Sequence, residues 1–244
     1  VEMKHPDVGF GMTVQDANAK DLVPLYEKAN ELNMEFATAS LHNSFYFVEA
    51  KNIIKDRMMV AKEFEKLINE LLKSNSPKKW FRAYFNHGLI NYIFGQKRLL
   101  PCDMAFDTFF IDPYGDVMPC NGTKDKEVMG NLNNQTWDEL WNSEQAEKVR
   151  NKVRHCDRNC WMIGSVSPAM KKYIWKPAIW VIVHKLKALF SKHPALSLIL
   201  LLSFCQQVHT GSYGCGISYP PDLWKGEFLP DEEARCDRRY LPAP

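Results

Sequence analysis

Val8, Phe10, Met12 and Val14 alternate with Gly9, Gly11 and Thr13, a period of two that predicts a β-strand. The glycines on its second face leave room for a packed neighbour or for a ligand. The period then lengthens. Leu22, Leu25, Tyr26, Ala29 and Leu32 share one side of a helix that Asn18 or Asp21 can cap. Pro24, tolerated only in a first turn, sets its start near Asp21. A second strand over Met34 to Ser40 leads into the loop Leu41-His42-Asn43-Ser44-Phe45. From about Asp56 to Lys73, Met58, Ala61, Phe64, Ile68, Leu71 and Leu72 form the stripe of a second helix. Strand, helix, strand, helix at this spacing is βα repetition, and it predicts an α/β fold with a parallel sheet.

The pattern changes after residue 78. Trp80 to Phe94 reads as an aromatic-rich helix with Gly95 as its stop. Arg82 inside it suits a substrate carboxylate or phosphate, though a surface salt bridge is the default for such a residue. Phe106 to Ile111 is an apolar run, followed by Asp112-Pro113-Tyr114-Gly115, whose Pro at the second turn position and Gly at the fourth predict a type I turn and a hairpin back to Cys120. Thr136 and Glu139 are spaced as a capping box, and a second helix near Ser143 to Val153 carries Ala146, Val149 and Val153 on one face. Tyr173 to Phe190 is strongly apolar with Lys172, Lys176, His184, Lys187 and Ser191 along one side. Ala195 to Cys205 adds an apolar run too short for the ~20 residues that span a bilayer. From Gln206 onward Gly, Pro and charge dominate, and the composition predicts a poorly structured tail.

Composition changes the picture in one place. A net charge of +2 gives no footing for a nucleic-acid partner, and none is expected. Between Lys148 and Lys192, however, eleven Lys or Arg face Asp157 as the sole acid, so residues 173–205 suit contact with a membrane surface as well as packing on the body. The opening VEMKHPDVGF has no apolar core behind a basic start, and reads as a chain entered partway through a fold. A cytoplasmic location is expected.

The candidate chemistry is carried by cysteine. There are seven, an odd number that argues against a closed disulfide framework. Cys102 and Cys120 are brought near each other by the hairpin, and Cys156 and Cys160, with three residues between them, can grip one metal centre from a single turn. Cys205, Cys215 and Cys236 have no ligand spacing. On residue types alone, four thiolates suit either an iron–sulfur cluster or one structural zinc. Zinc ribbons draw on two tight Cys-x2-Cys knuckles, whereas seventeen residues separate Cys102 from Cys120.

Cys102, twelve residues, Gly115, four residues, Cys120, and later a Cys-x3-Cys resembles the auxiliary iron–sulfur domain of radical SAM enzymes, the SPASM domain or its shortened relative, the twitch domain. IDPYGDVMPC, MGNL and the TWDELWNSE helix agree with that family. A full SPASM pattern has more cysteines in its second half, so the resemblance implies one auxiliary [4Fe–4S] cluster on Cys102, Cys120, Cys156 and Cys160. It further implies that residues 1–78 are the end of a partial (β/α) barrel, 79–101 a bridging helix and 102–161 the small α+β cluster domain; after Trp161 the resemblance fades, and 162–244 read from their composition as a basic and apolar helix with a poorly structured tail. In the full-length parent, S-adenosylmethionine and substrate lie at the C-terminal ends of the barrel strands. Thr13 and Asn18 are then candidate cofactor contacts and His42 and Ser44 candidate substrate contacts, each with a local loop or capping role as the plainer alternative. A reductase or ferredoxin would be the electron partner, and the substrate is left open.

One element of the family is missing. The radical-generating Cys-x3-Cys-x2-Cys loop occurs nowhere in the sequence: after Cys156 and Cys160 the third position is Ile163. Two readings follow, the C-terminal portion of a radical SAM enzyme, or a non-catalytic metal-binding module, iron–sulfur or zinc, acting in assembly or interaction.

Overall fold

Strands β1 (Gly9–Val14) and β2 (Glu35–Ser40) pair in parallel, Phe10 beside Phe36, Met12 beside Thr38 and Val14 beside Ser40. These contacts come from a computed structural model describing residues 8–43, 52–120, 122–123 and 126–192, the last four by backbone alone. Helix α1 (Leu22–Glu31) is the crossover between the strands. Asp21 stands at its N-cap as the position of Pro24 requires, but its side chain accepts no capping hydrogen bond. It ends at Asn33, which takes a left-handed φ of 53°; the Asn33 and Met34 N–H groups return to the Asn30 and Ala29 carbonyls, closing a Schellman motif.

Two long helices cover one face of this pair. In α2 (Arg57–Lys73) the Asp56 carboxylate accepts from the Met59 N–H, and Val60, Phe64, Leu67, Ile68 and Leu71 are buried. Met58, expected in the stripe, is exposed. Helix α3 (Pro77–Ile93) begins three residues earlier than the aromatic pattern indicates, because Pro77 supplies the preset φ of a first helical position. It stops at Gly95, whose φ is +70°. The Thr38 hydroxyl donates to Asn86 Oδ1 at 2.8 Å, fastening β2 to α3. Met12, Val14 and Phe36 point into this core, whereas Gly9, Gly11, Thr13, Glu35 and Ala37 are exposed on the opposite face. At Gly9 the neighbouring strand comes close, since a Cβ there would meet the Glu35 carbonyl oxygen at 2.6 Å; at Gly11 the space is open.

The second sheet is antiparallel, in the order β3 (Phe110–Ile111), β4 (Asp116–Met118), β5 (Gly130–Asn131). The strand expected over Phe106 to Ile111 keeps only its last two residues, because Ala105 adopts a φ of 67° and the chain turns at 105–107 before the strand starts. Two short helices close the module. Helix α4 (Trp137–Trp141) carries the full Thr136–Glu139 capping box, and α5 (Glu144–Arg154) starts at Ser143 and buries Ala146, Val149 and Val153. These three join Met104, Val117, Met129 and Leu140 in a small core of their own.

The chain then returns to the first core. Helix α6 (Ile163–Lys172) places Val166, Ala169 and Met170 there, and α7 (Trp175–Lys192) packs against α3. Thus the described residues form a mixed helix-and-sheet fold with two small sheets; two parallel strands are too few to define a barrel. Arg82 pairs with Glu35, the surface salt bridge that was the default. Among the described residues no helix is long and apolar enough to cross a membrane. Ser44, the apolar run 195–205 and the tail from 206, with Cys205, Cys215 and Cys236, lie outside the described residues.

Candidate metal centre

The hairpin that delivers Cys120 is held by one carboxylate. Asp112 Oδ1 accepts from the backbone N–H of Tyr114 at 2.9 Å and of Asp116 at 3.0 Å, while the Gly115 N–H closes the turn on the Asp112 carbonyl. Gly115 has a φ of +82°, the left-handed position of a three-residue hairpin loop with a bulge. The Lys126 ammonium sits between Asp112, at 2.8 Å, and Asp116, and holds both carboxyls below their ordinary range. Asn131 and Asn133 donate to the Tyr114 carbonyl, tying the third strand to the turn. Val117 and Met118 are fully buried, so the strand ends on a fixed base two residues before Cys120.

Cys160 is fixed from its other side. Trp161 is buried in the first core, its indole N–H donating to the Phe85 carbonyl of α3 at 2.8 Å. The Arg98 guanidinium spans both ends of the module: it donates to the carbonyls of Leu100, Cys160 and Ser165 and lies over the Trp161 ring. Leu100 is two residues from Cys102, so one side chain joins the segments that carry the first and last thiols. Cys156 follows directly on α5, its N–H returning to the Val153 carbonyl. Arg150 of that helix donates to the Ala105 and Trp141 carbonyls, anchoring α5 to the turn beyond Cys102.

Cys102, Cys120, Cys156 and Cys160 all line one cavity of about 580 Å³. Cys156 is exposed and the other three are half-buried. Gly122 backs the cavity, and a Cβ there would stand 3.4 Å from Cys160 Sγ and 3.9 Å from Cys120 Sγ. Burial pushes the Cys120 thiol up, with Cys160 and Cys102 adding to it, against the N–H groups of Gly122 and Thr123. Burial likewise raises Cys160, helped by Cys156 and Cys102 and opposed by Arg158 and Arg98. Soft, clustered thiols of this kind are donors for iron–sulfur or zinc, and they must lose their protons to bind either. Among the described residues no three His, Cys, Asp or Glu are drawn together tightly enough to hold a single ion. The four thiols line one cavity without forming a single-ion site.

Residues 102–161 match the family model of SPASM, the iron–sulfur cluster-binding domain. This segment is a SPASM domain. The comparisons with curated proteins and with solved structures give no match. The SPASM segment begins at Cys102 and ends at Trp161, so its last residue is the indole that docks on α3.

The other candidate residues divide. His42, at the end of β2, lines the same cavity as the SPASM cysteines, its Nδ1 3.2 Å from the Ser40 carbonyl. Thr13 is exposed at the end of β1. The Asn18 amide is engaged locally, donating to the Thr13 carbonyl at 3.0 Å and accepting from the Gln15 N–H at 2.9 Å, so it makes no side-chain cap either. The sequence reading missed Arg98, Lys126, Gly88 and Gly122. Arg98 acts on residues more than sixty positions away and leaves no local pattern; Gly122, two residues past a candidate ligand, was the one legible signal of a close approach.

Proposed function

We propose that the chain is the C-terminal portion of a radical SAM enzyme, and that its SPASM segment holds one auxiliary [4Fe–4S] cluster through Cys102, Cys120, Cys156 and Cys160, the shortened twitch-like arrangement. The observation that carries this reading is that the four cysteines singled out by spacing, all of them inside the matched segment, line one cavity. An all-thiolate set with a glycine backing the sulfurs fits such a group. When bound, the cluster would supply electron transfer or a substrate anchor. The chain's own residues fix where it stands: Asp112 and Lys126 set Cys120, α5 sets Cys156, and Arg98 with Trp161 sets Cys160.

The first module supports the same reading. Parallel sheets are ordinarily covered on both faces, and here, among the described residues, the Gly9, Gly11, Thr13 and Ala37 face is exposed, as it would be if it lined the interior of a larger barrel. The cavity reaches Ala39 and His42 at the C-terminal end of β2, the end at which α/β sheets bind ligands. His42 is therefore proposed on the substrate side. A reductase or ferredoxin would be the electron partner, and S-adenosylmethionine would be held by the full-length enzyme, with Thr13 at the rim of that site. A non-catalytic module is the second reading, favoured by the absence of Cys-x3-Cys-x2-Cys from the sequence.

Anaerobic reconstitution with iron and sulfide, followed by assay of both, tests the proposal. Four iron and four sulfide per chain are expected, with loss on replacing any of the four cysteines by Ala. Stoichiometric zinc without labile sulfide would reject the cluster and leave a structural zinc module.

A further inference from the structure

Helix α7 has two apolar sides, and among the described residues only one is packed. Its inner side packs on the first core: Val181 is buried, and Trp180 lies between His87, at 4.9 Å, and His184, at 4.0 Å, in a stack of rings. Its outer side carries Trp175, Ile179, Ile182, Val183 and Leu186, at intervals of four, seven, eight and eleven residues, which is one helical stripe. Each is between 39% and 56% exposed. Single exposed apolar residues need no explanation, but five in register on one helix do.

The residues around the stripe indicate what it meets. By helical position Lys176 and Lys187 border it on one flank and Lys185 on the other. Lys185 also donates to the Ser74 carbonyl, and the Lys176 ammonium lies over the Trp175 ring. From Arg158 to Lys192 the sequence contains no Asp or Glu. In α6, Lys171 is exposed, whereas Lys172 is engaged by Asp103 and Asp107. An apolar stripe with a Trp at one end, framed by lysines and free of acids, has the pattern of a helix lying in the plane of an anionic bilayer surface. The helix is not long and apolar enough to cross a membrane.

We infer that the outer face of α7 is a peripheral docking surface for anionic lipid, with Trp175, Ile179, Ile182, Val183 and Leu186 entering the interface and the flanking lysines meeting headgroup phosphates. This surface involves none of the four cysteines and does not depend on the metal centre.

Co-sedimentation of the full chain with vesicles tests it. Pure phosphatidylcholine is compared with phosphatidylcholine and phosphatidylglycerol in equal parts. Binding to the anionic vesicles is expected, weakened by salt. Lys176→Gln with Lys187→Gln should weaken it about thirtyfold. Ile179→Asp with Ile182→Asp should weaken it at least about tenfold with an unchanged melting temperature, since both side chains are already exposed. Because residues 195–205 are also apolar in sequence, it is these α7 variants that assign binding to the stripe. Retained binding by the aspartate pair, equal binding to both vesicles, or no binding by the parent would each overturn the inference. So would a parent chain that ignores vesicles and self-associates through the stripe, becoming monomeric in the aspartate variant.

Discussion

Trp161 lies against Gly88 so closely that a Cβ at Gly88 would fall 1.9 Å from the indole Cε2. The cysteine end of the SPASM segment is thus seated in a notch that exists because α3 lacks a side chain at that turn. Gly88→Ala is expected to displace the indole, break its bond to Phe85 and destabilise the fold by about 1–3 kcal/mol. Thermal denaturation checks the stability. Iron content after reconstitution should fall as well, because Cys160 is the residue before Trp161; a variant with full iron and parental melting would show that the notch is not needed.

Arg98 is the second fastening, and its planar fork matters as much as its charge. Arg98→Lys keeps the charge and cannot reach the Leu100, Cys160 and Ser165 carbonyls together. A loss of about 2–3 kcal/mol is expected for Arg98→Met and most of that loss for Arg98→Lys. The absorption spectrum of the reconstituted chain should change in both, since the position of Cys160 is altered. Full recovery by Lys would reduce the role of Arg98 to electrostatics.

Acid should loosen the packing of α3 against α7. His87 is held down to about 4 from an ordinary 6.5, mainly by burial and then by the nearby His184. His184 is itself lowered by burial, and Tyr84 and Trp180 supply the remaining ring contacts around His87. The folded state therefore binds this proton less readily than the unfolded chain. The contribution is complete above pH 6.5 and is lost as the pH falls towards 4, to a total on the order of 3 kcal/mol. Urea midpoints measured across that window should fall with acid in the parent and fall less in His87→Phe. Parallel slopes in the two proteins would assign the acid sensitivity to other groups.

Reductive incubation of the reconstituted chain with S-adenosylmethionine is expected to give no 5′-deoxyadenosine above a buffer control. Ile163 stands where a third cysteine would follow Cys156 and Cys160, so these residues offer no three-cysteine loop with an open iron. Turnover that disappears in Cys156→Ala would assign radical chemistry to this site.

Local chemistry was legible in the sequence. Asp21, Asp56, Gly95 and the Thr136–Glu139 box each mark a helix boundary that the fold keeps, because caps and stops depend only on neighbours within a few residues. The hairpin at Asp112 to Gly115 was legible for the same reason. Helix α6 was not: Gly164 and Pro168 argue against a helix, and burial of Val166, Ala169 and Met170 outweighs them. The strand before the turn was overlong because nothing in its apolar run announces the left-handed backbone of Ala105. In the metal centre, the four thiols could be named from spacing. The Arg98 and Lys126 contacts that hold them could not, since they join segments brought together only by the finished fold.

Arg98 and Ser165 stand on opposite sides of the SPASM segment and are joined by a hydrogen bond of 3.0 Å from the guanidinium to the Ser165 carbonyl. The chain consequently enters and leaves this segment through one gate, with its flanking helices α3 and α6 already sharing a core. A segment with adjoining ends is a cassette: the loop-closure cost of its sixty-odd residues grows only logarithmically with length. It can lengthen, shorten or exchange its interior while the scaffold around the gate stays in place.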